Sequence, residues 1–398
     1  MPLSKLQFRP GINREGTNYS NEGGWFNCDK IRFRNGYVER IGGWTRVSNN
    51  QFTGTARKLH DFVTLASANL LFIGTEQKTF LENAGVYNDI TPIRSTLSLG
   101  TNPVNTSGGA GSGVVTITTS TAHGAIVGDF VTLASLTTTD GITAAQLNTE
   151  HTITSVPTTT TFTITTAGTA SSGSTAGGGS SGTAAFQINI GINTTILGSG
   201  WSAGTWGRFT WGSDSGDLAG QTLRLWFADN FGEDLVFNIA DGSIYYWDAT
   251  GGVSTRAVEL SSLTGASDTP TLARKVLVSD VDRHIIFFGA NTIGTSVQDP
   301  LLIRFGSQES LTDFTPTATN TAGDIRLSKG SEIITAVQTS RQILVWTDQA
   351  LYSMQFVGPP FTFGVSMIGD NIRIAGPNAA VSVNDVVYWM GQENFYVY

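Results

Sequence analysis

The chain has 398 residues, of which 14% are charged and 47 are Gly. An average globular protein has about 25% charged residues and about 7% Gly, so this composition excludes a coiled coil and a helix-rich protein. The lone Cys28 excludes a disulfide framework and a zinc knuckle. A formal net charge of −8 argues against sequence-specific DNA binding, which needs basic side chains that converge on one face.

The N-terminal segment is locally basic although the whole chain is acidic. In the run KIRFRNGYVERIGGW, Arg32, Arg34 and Arg40 occur at even spacing. In one extended strand they would lie on one side, opposite Ile31 and Phe33. This pattern suits docking of the three arginines onto an acidic neighbouring protein, and it suits an ordinary solvated strand face equally well.

Strand signals dominate the remaining sequence, since short runs of Val, Ile, Thr and aromatic residues alternate with Gly, Asn and Asp. The predicted fold class is all-β. Several segments share one design, which is an apolar run, a polar turn and a second apolar run. They begin at Leu70, Leu223, His284, Ile343 and Val386.

These hairpins recur at intervals of roughly 40 to 60 residues, close to the length of a propeller blade. The spacing predicts a β-propeller-like body in which Trp226, Trp346 and Trp389 are buried between adjacent sheets. A β-sandwich is the alternative, but its turns would come about every 8 to 12 residues.

A segment of different composition interrupts the hairpins. Its Gly/Ser/Thr-rich ends, 101–113 and 168–183, have too little apolar surface to fold by themselves and are interpreted as flexible connectors. Between them, Thr and apolar residues alternate with period two. We therefore predict an inserted β-module at 101–183, between an N-terminal segment with first blade strands at 1–100 and further blades at 184–398. Because Tyr398 falls inside a strand pattern, we expect the natural chain to continue.

The polar motifs carry no catalytic signature. The run ADNFGEDL lacks the spacing of a calcium loop and predicts a solvated hairpin turn, and no nucleophile, zinc-hydrolase or phosphate-loop motif occurs. His123 and His151 lack the closely spaced second ligand of a metal site. We predict no enzyme activity, no catalytic residue, no metal and no cofactor. The clustered side chains of the turn are Asp229, Asn230, Glu233 and Asp234.

Three tryptophans, Trp201, Trp206 and Trp211, lie in or near the Gly-rich string GTWGRFTWG. No helix pattern follows this string, so it does not form a phosphate cradle. We interpret the three side chains as packing or interface aromatics, and a sugar-stacking surface is the alternative.

Several of these stretches resemble a family of tailed-bacteriophage virion proteins. Residues 10–44, PGINREGTNYSNEGGWFNCDKIRFRNGYVERIGGW, are similar to the opening of phage structural proteins related to tail hub, nozzle and packaged-DNA stabilisation components. The strings NFGEDLVFN, ILVWTDQALYSMQFVGPPFTFG and VVYWMGQENFYVY carry the same resemblance. It covers residues 10 to about 100 and 186–398, and the insert resembles a separate small module of phage structural proteins.

The resemblance implies a virion protein of a short-tailed phage, assembled in the host cytoplasm. It would form a ring, a hexamer, against adjoining tail or head–tail connector proteins, retain packaged DNA and pass it during ejection. An acidic chain with little Lys suits a lumen through which DNA passes transiently and without specific binding. The alternative is a fibre or spike that binds cell-surface glycan for host recognition and forms a trimer.

Overall fold

The computed structural model describes residues 9–17, 19–43, 45–46, 48–194 and 223–398. Strands dominate these residues, and the helical segments are the short α1 (Ala144–Leu147) and two 3₁₀ turns. The predicted all-β fold class is therefore confirmed. In the described part of the chain, no helix is long and apolar enough to cross a membrane. The chain divides into two compact units, Met1–Asn49 and Asn50–Tyr398.

The first unit contains a hairpin of β1 (Ile31–Arg34) and β2 (Tyr37–Arg40). Its two-residue turn places Asn35 at φ 49° and Gly36 at φ 79°. Asn-Gly is the preferred sequence for a turn with two positive φ angles, whose twist matches that of the flanking strands. The register of this hairpin is therefore set locally by its turn.

The second unit contains five antiparallel sheets in which the strands pair in chain order, among the residues described. Sheet 1 comprises β3 (Ala56–Val63), β4 (Asn69–Thr75), β5 (Thr79–Asn83) and β6 (Val86–Asp89). Sheet 2 comprises β16 (Trp226–Phe231), β17 (Asp234–Ile239), β18 (Ile244–Trp247) and β19 (Val258–Glu259). Sheet 3 comprises β20 (Lys275–Val278), β21 (Ile285–Phe288), β22 (Leu302–Phe305) and β23 (Gly323–Arg326). Sheet 4 comprises β24 (Ile333–Gln338), β25 (Ile343–Thr347), β26 (Ala350–Gly358) and β27 (Thr362–Asp370). Sheet 5 comprises β28 (Ala380–Val383), β29 (Val386–Met390) and β30 (Phe395–Val397).

Consecutive sheets pack on one another, and their first strands, β3, β16, β20, β24 and β28, lie next to each other in this order. Each hydrophobic cluster of the body joins two consecutive sheets. The blades of a propeller pack on one another in this serial way. A β-sandwich instead has two sheets that pack face to face. The body is β-propeller-like, as the hairpin spacing predicts.

The strands of the inner sheets are apolar on both faces because each sheet has two neighbours. All four residues of β21 are buried. Phe287 joins the cluster shared with Phe227 of sheet 2, whereas Phe288 joins the cluster shared with Val345 of sheet 4. A strand buried on both faces gives a continuous apolar run in the sequence.

The predicted burial of three tryptophans is confirmed, with exposed fractions of 1% for Trp226, 0% for Trp346 and 5% for Trp389. The Trp346 and Trp389 rings meet edge to face at 5.5 Å between sheets 4 and 5. Trp226 lies against Gly74 of sheet 1, where a Cβ atom would come within 2.6 Å of Trp226 Cδ1. Trp226 Nε1 also donates to the carbonyl oxygen of Thr75 at 2.7 Å.

The module forms two sheets around its own core and reaches beyond the predicted bounds 101–183, because residues 93–100 and 184–187 also belong to its strands. One sheet has the order β11 (Glu150–Thr152), β10 (Phe130–Ala134), β15 (Gly182–Gln187) and β7 (Ile93–Gly100). The other has the order β12 (Ser155–Thr158), β13 (Thr161–Thr165), β9 (Val114–Thr118), β8 (Val104–Asn105) and β14 (Ala176–Gly177). Phe162 and Phe186 meet edge to face in the core between them.

The structure differs from the sequence expectation at the two Gly/Ser-rich stretches, which are folded parts of the module. Strand β8 in the first stretch pairs with β14 in the second. Between them Asp140 accepts hydrogen bonds from Ser172 Oγ at 2.7 Å, the Gly173 N–H at 2.7 Å and Thr106 Oγ1 at 2.9 Å. These bonds, led by that from Ser172, lower the pKa of Asp140 to about 2. Hydrogen bonds to the Asp140 carboxylate therefore hold the two stretches in a fixed conformation, which their composition alone does not predict.

A network of ionised side chains joins the module to the body. Lys78, which is 5% exposed, places Nζ 2.9 Å from Asp89 Oδ2 in sheet 1 and 2.5 Å from Glu150 Oε1 in the module. Arg256 contacts both carboxylates, at 3.2 and 3.6 Å. Burial alone would raise the pKa of Asp89, but the charges of Arg256 and Lys78 outweigh burial and lower it.

The tryptophan hydrogen bond gives a first test. Replacing Trp226 by Phe leaves the buried carbonyl of Thr75 without its donor, whereas Trp346→Phe loses no such bond, because Trp346 Nε1 has no partner among the described residues. An unsatisfied buried polar group costs about 1–3 kcal/mol. We expect Trp226→Phe to lower the free energy of unfolding in urea by that much more than Trp346→Phe. Equal losses would show that the bond contributes nothing.

The junction network gives a second test. Asp89→Asn removes one of the two carboxylate partners of the buried Lys78, which keeps its contact with Glu150. We therefore expect a loss smaller than the about 3–5 kcal/mol that follows when a buried charge is left unpaired. A carboxyl with a lowered folded pKa stabilises above its unfolded pKa and loses this effect as the pH falls through its folded value. The difference from wild type should therefore shrink in urea unfolding below about pH 4. Glu309→Gln, which removes an exposed ion pair with Arg283, is the control, and an equally small effect at Asp89 would contradict the prediction.

Candidate functional site

The first strand of sheet 3, β20, has one edge that no strand covers within its sheet, and side chains of sheet 2 cap this edge. The Val276 N–H donates to Asn238 Oδ1 at 3.0 Å, and the Val278 N–H donates to Asp229 Oδ2 at 2.9 Å. Uncapped strand edges would leave these backbone groups unpaired. The two side chains therefore satisfy the edge and join sheets 2 and 3.

Sheet 4 completes the same edge from the other side. In the orientation that satisfies both of its groups, the Gln338 amide donates to the carbonyl oxygen of Val278 and accepts from the N–H of Asp280, both at 2.9 Å. Lys275 Nζ donates to Thr335 Oγ1 at 3.0 Å and to the carbonyl oxygen of Ala336 at 2.6 Å. Polar contacts on β20 thus connect three consecutive sheets.

The ionisable groups at this junction have shifted pKa values. Burial raises the pKa of Asp229 to about 6, against the opposing effect of the hydrogen bonds from the Val278 and Asn230 amides. Burial also lowers the pKa of Lys275 to about 8, with help from the charge of Lys58. Shifted values are common in active sites, but they also arise in structural networks. Here both side chains bind the backbone of a neighbouring sheet, which is a structural use.

A cleft of 720 Å³ opens beside this junction, where sheets 3, 4 and 5 meet. Its walls come from the segment after β20, the end of β24 and the turn between β28 and β29. Carboxylate, amide and hydroxyl groups contribute to its lining. They belong to Asp280, Gln338, Ser340, Ser382, Asn384 and Asp385.

One carboxylate of the cleft is fixed by the protein itself. Asp385 accepts hydrogen bonds from the Ser340 N–H at 2.9 Å and from Ser340 Oγ at 2.5 Å, and these bonds lower its pKa. The Asn384–Asp385 turn has positive φ angles of 52° and 63°, which Asn and Asp tolerate better than most residues. Asp385 therefore links sheets 4 and 5 and is ionised at neutral pH.

A smaller cleft of 200 Å³ adjoins the first and shares Gln338 and Ser340 with it. Phe356, which is 41% exposed, Phe363 and Arg341 contribute to its lining. Together the two clefts offer hydrogen-bond acceptors beside an aromatic wall. This combination suits a polar ligand with hydroxyl or cationic groups. In the described residues, no group of three or more His, Cys, Asp and Glu side chains could hold a metal ion.

Sequence reasoning missed both clefts because each is lined by residues of separate sheets, sheets 3, 4 and 5 for the larger cleft and sheets 3 and 4 for the smaller one. The signal present in the sequence is weak. Polar residues follow the strand ends in VSDVD, QTSRQ and VNDV, but such residues are typical of turns in general. The side chains come together only through the packing of the sheets.

The turn ADNFGEDL forms the predicted hairpin between β16 and β17, but it is less solvated than expected. Asp229 caps β20, as described above. Asp234 accepts from Tyr246 Oη at 2.7 Å and from the Ala249 N–H at 2.9 Å. Glu233 accepts from the Leu65 N–H at 3.1 Å. The carboxylates are used as hydrogen-bond acceptors for sheets 1, 2 and 3.

The arrangement predicted for the N-terminal arginines is wrong in one respect. Arg32 pairs with Glu39, and Ile31 pairs with Arg40. Directly paired residues lie on the same face of a hairpin, so Arg32 and Arg34 share one face while Arg40 lies on the other with Ile31. Residues at even spacing share a face only along one continuous strand. Across the two-residue turn the relation is reversed, so residues of the two strands share a face when their numbers differ by an odd number. Docking of these arginines onto a neighbour stays a prediction.

The remaining sequence candidates have simple outcomes. His123 is 2% exposed, accepts from the Ala125 N–H at 3.0 Å and stacks on Phe186 in the module core. His151 Nε2 lies 3.0 Å from the Leu147 carbonyl oxygen. The three candidate packing aromatics lie outside the described residues. They are Trp201, Trp206 and Trp211.

Comparisons with protein-family models and with curated protein sequences found no match. Among solved structures, the chain is similar to the phage phi92 endosialidase, with a TM-score of 0.26 and 11% sequence identity. The similarity covers 89% of this chain and 55% of that protein, so the chain spans little more than half its length. At this identity the similarity assigns no function.

Titration of Asp229 gives a third test. A carboxyl whose folded pKa is raised stabilises the protein when protonated, so this contribution is present below about pH 4 and is lost as the pH rises through about 6. Asn at this position does not titrate. Between pH 5 and pH 7, we expect the unfolding free energy of wild type to fall by about 1 kcal/mol relative to Asp229→Asn. A constant difference over this range, in urea unfolding, would rule out a raised pKa.

Proposed function

We propose that this chain is a structural protein of a bacteriophage tail, of the hub or nozzle type, and that it is not an enzyme. Its copies form a ring, a hexamer, through which DNA passes. The strings that resemble phage virion proteins motivate the proposal. The observation that carries it is the use of the buried ionisable side chains, which bind the backbone of neighbouring sheets.

Such an organisation suits a rigid mechanical part. Asp229, Lys275 and Asp385 each fix one sheet to the next, and these contacts do not depend on a bound ligand. Asp280, which lines the larger cleft, is exposed. A phosphate-binding surface would need cations there instead. The acidic character of the chain is therefore consistent with a conduit that holds DNA by enclosing it and releases it rapidly.

In this proposal the ring lies in the virion tail against adjoining tail or connector proteins. The hairpin with Arg32 and Arg34 on one face is the candidate contact to an acidic neighbour. Exposed ion pairs contribute only about 0–1 kcal/mol each. Apolar burial beside the arginines would therefore supply most of the docking energy.

A second candidate function is host recognition by binding of cell-surface glycan, as in a fibre or spike. The observation that favours it is the smaller cleft, where Phe356 offers an exposed ring beside Asp282 and Arg341. Sugars commonly stack on aromatic rings while their hydroxyls bind charged or amide groups. Such a protein would form a trimer.

The mass of the assembled particle separates the two functions. Native mass spectrometry of the purified full chain should give six copies for the conduit, because a ring contact repeats until it closes. Three copies, together with binding to a glycan array that Phe356→Ala abolishes, would contradict the conduit and favour host recognition. Six copies with no glycan binding would support the conduit alone.

A further inference from the structure

The two compact units of the chain carry opposite charge. Residues 1–49 contain eight Lys or Arg and four Asp or Glu, a formal net charge of +4. Residues 50–398 contain 15 Lys or Arg and 27 Asp or Glu, a formal net charge of −12. A basic unit and an acidic body attract each other at low ionic strength.

The hairpin of the first unit presents a basic face. Arg34 pairs directly with Tyr37, and Arg32 pairs with Glu39, so these four side chains lie on one face. Arg32 Nε contacts Glu39 Oε2 at 3.1 Å, whereas Arg34 forms no ion pair with a described residue. Tyr37 is 73% exposed. A guanidinium beside an exposed ring is therefore available to a partner.

The larger cleft and the smaller cleft beside it have the complementary charge. Their lining contains three carboxylates, those of Asp280, Asp282 and Asp385, against the single cation of Arg341. No described residue forms an ion pair with any of the three carboxylates. This part of the body can therefore accept a further cation.

The larger cleft offers more than negative charge. A guanidinium has five N–H donors in a planar fork, which is suited to several acceptors at once. Serine hydroxyls and the amide of Asn384 line the cleft together with Asp280. Val281, which is 66% exposed, adds an apolar surface to the same lining. Arg34 and Tyr37 thus match the cleft in charge and in apolar surface.

We propose that the hairpin of one copy of this chain docks in the larger cleft of a second copy. Arg34 then lies against Asp280, and Tyr37 packs on Val281. The apolar contact supplies burial that an exposed ion pair alone lacks. The acidic neighbour of the hairpin is, in this view, the next subunit.

The start of the second unit favours a second copy over the cleft of the same chain. This unit begins at sheet 1, where Asn50 Nδ2 donates to the carbonyl oxygen of Gly85 at 2.9 Å. Phe52 and Tyr87 meet edge to face there at 5.1 Å. The cleft lies where sheets 3, 4 and 5 meet, and sheet 2 packs between sheets 1 and 3. A second copy can offer its cleft without this intervening sheet.

Hairpin and cleft are different surfaces, so the contact is heterologous, and each copy can engage two others. Such contacts close into a ring or extend into a filament. The inference deepens the proposed function and rests on it for the closure into a ring.

The test reverses one charge at a time in the full chain. Arg34→Glu places a carboxylate against the acidic cleft, and Asp280→Lys places a cation against the basic hairpin. Like charges brought together oppose association. Each variant should therefore show at least a roughly tenfold higher dissociation constant in sedimentation equilibrium at low salt.

Two control variants change the net charge by the same amounts at other places. Arg40→Glu lies on the opposite face of the hairpin, and Glu259→Lys replaces an exposed carboxylate of β19. Both should assemble like wild type. Equal losses in the controls and in the two test variants would overturn the contact, because net charge alone would then explain them.

Mixing Arg34→Glu with Asp280→Lys gives the sharpest result. In the mixture each hairpin meets a cleft of opposite charge on the other variant, so association should return to near the wild-type level. The double variant Arg34→Glu/Asp280→Lys should associate by itself for the same reason. Restoration in the double variant but not in the mixture would place the hairpin on its own chain and overturn the second copy. Circular dichroism and thermal unfolding check that every variant is folded.

The remaining outcomes separate this inference from the proposed function. If both single variants still form the wild-type hexamer, the contact is wrong and the ring stands. If wild type forms another assembly that the single variants weaken and their mixture restores, the contact stands and the hexameric conduit falls. If wild type is monomeric at all concentrations, both are overturned.

Discussion

Capping of the free edge of β20 is the interaction on which the arrangement of the body depends. A series of small sheets leaves the first strand of each sheet with one edge unpaired, and unpaired edges expose backbone groups to water and to other chains. Asn238 and Asp229 satisfy this edge from sheet 2, and Gln338 satisfies it from sheet 4. The same bonds set the relative position of three sheets. The edge strand is therefore protected from pairing with other chains, and it also connects sheets 2, 3 and 4.

Apolar packing alone would not fix the sheets in register. The clusters between sheets contain large aromatic side chains such as Phe287 and Trp346, and hydrophobic burial is not directional. Directional hydrogen bonds add the missing constraint, since Trp226 donates to sheet 1, Asp229 accepts from sheet 3 and Asp385 accepts from Ser340. Burial thus supplies most of the stabilisation, while the polar contacts select one arrangement.

Much of the fold can be predicted from the sequence because its signals are local. Apolar runs around polar turns identify the hairpins, and the burial of Trp226, Trp346 and Trp389 follows from their place in those runs. The face of Arg40 was predicted wrongly because the Asn-Gly turn reverses strand parity. The folded state of the Gly/Ser-rich stretches was missed because it depends on Asp140, which is distant in sequence.

The candidate clefts could not be predicted for a related reason. Asp280, Ser340 and Asp385 come from three sheets, and each follows a strand as an ordinary turn residue would. Their proximity is a result of sheet packing, and no spacing in the sequence encodes it. The role of Asp229 was hidden in the same way, since a carboxylate in a hairpin turn gives no sign of the strand edge that it caps.

Hydrogen exchange at the free edge of β20 tests the central claim most directly. In the full chain at neutral pH, the amides of Val276 and Val278 should exchange as slowly as those of β21 in the interior of the same sheet, because side chains of sheet 2 hold them. Exchange of both amides as fast as that of an uncapped edge strand would show that the sheets are not joined there, and the account would be wrong.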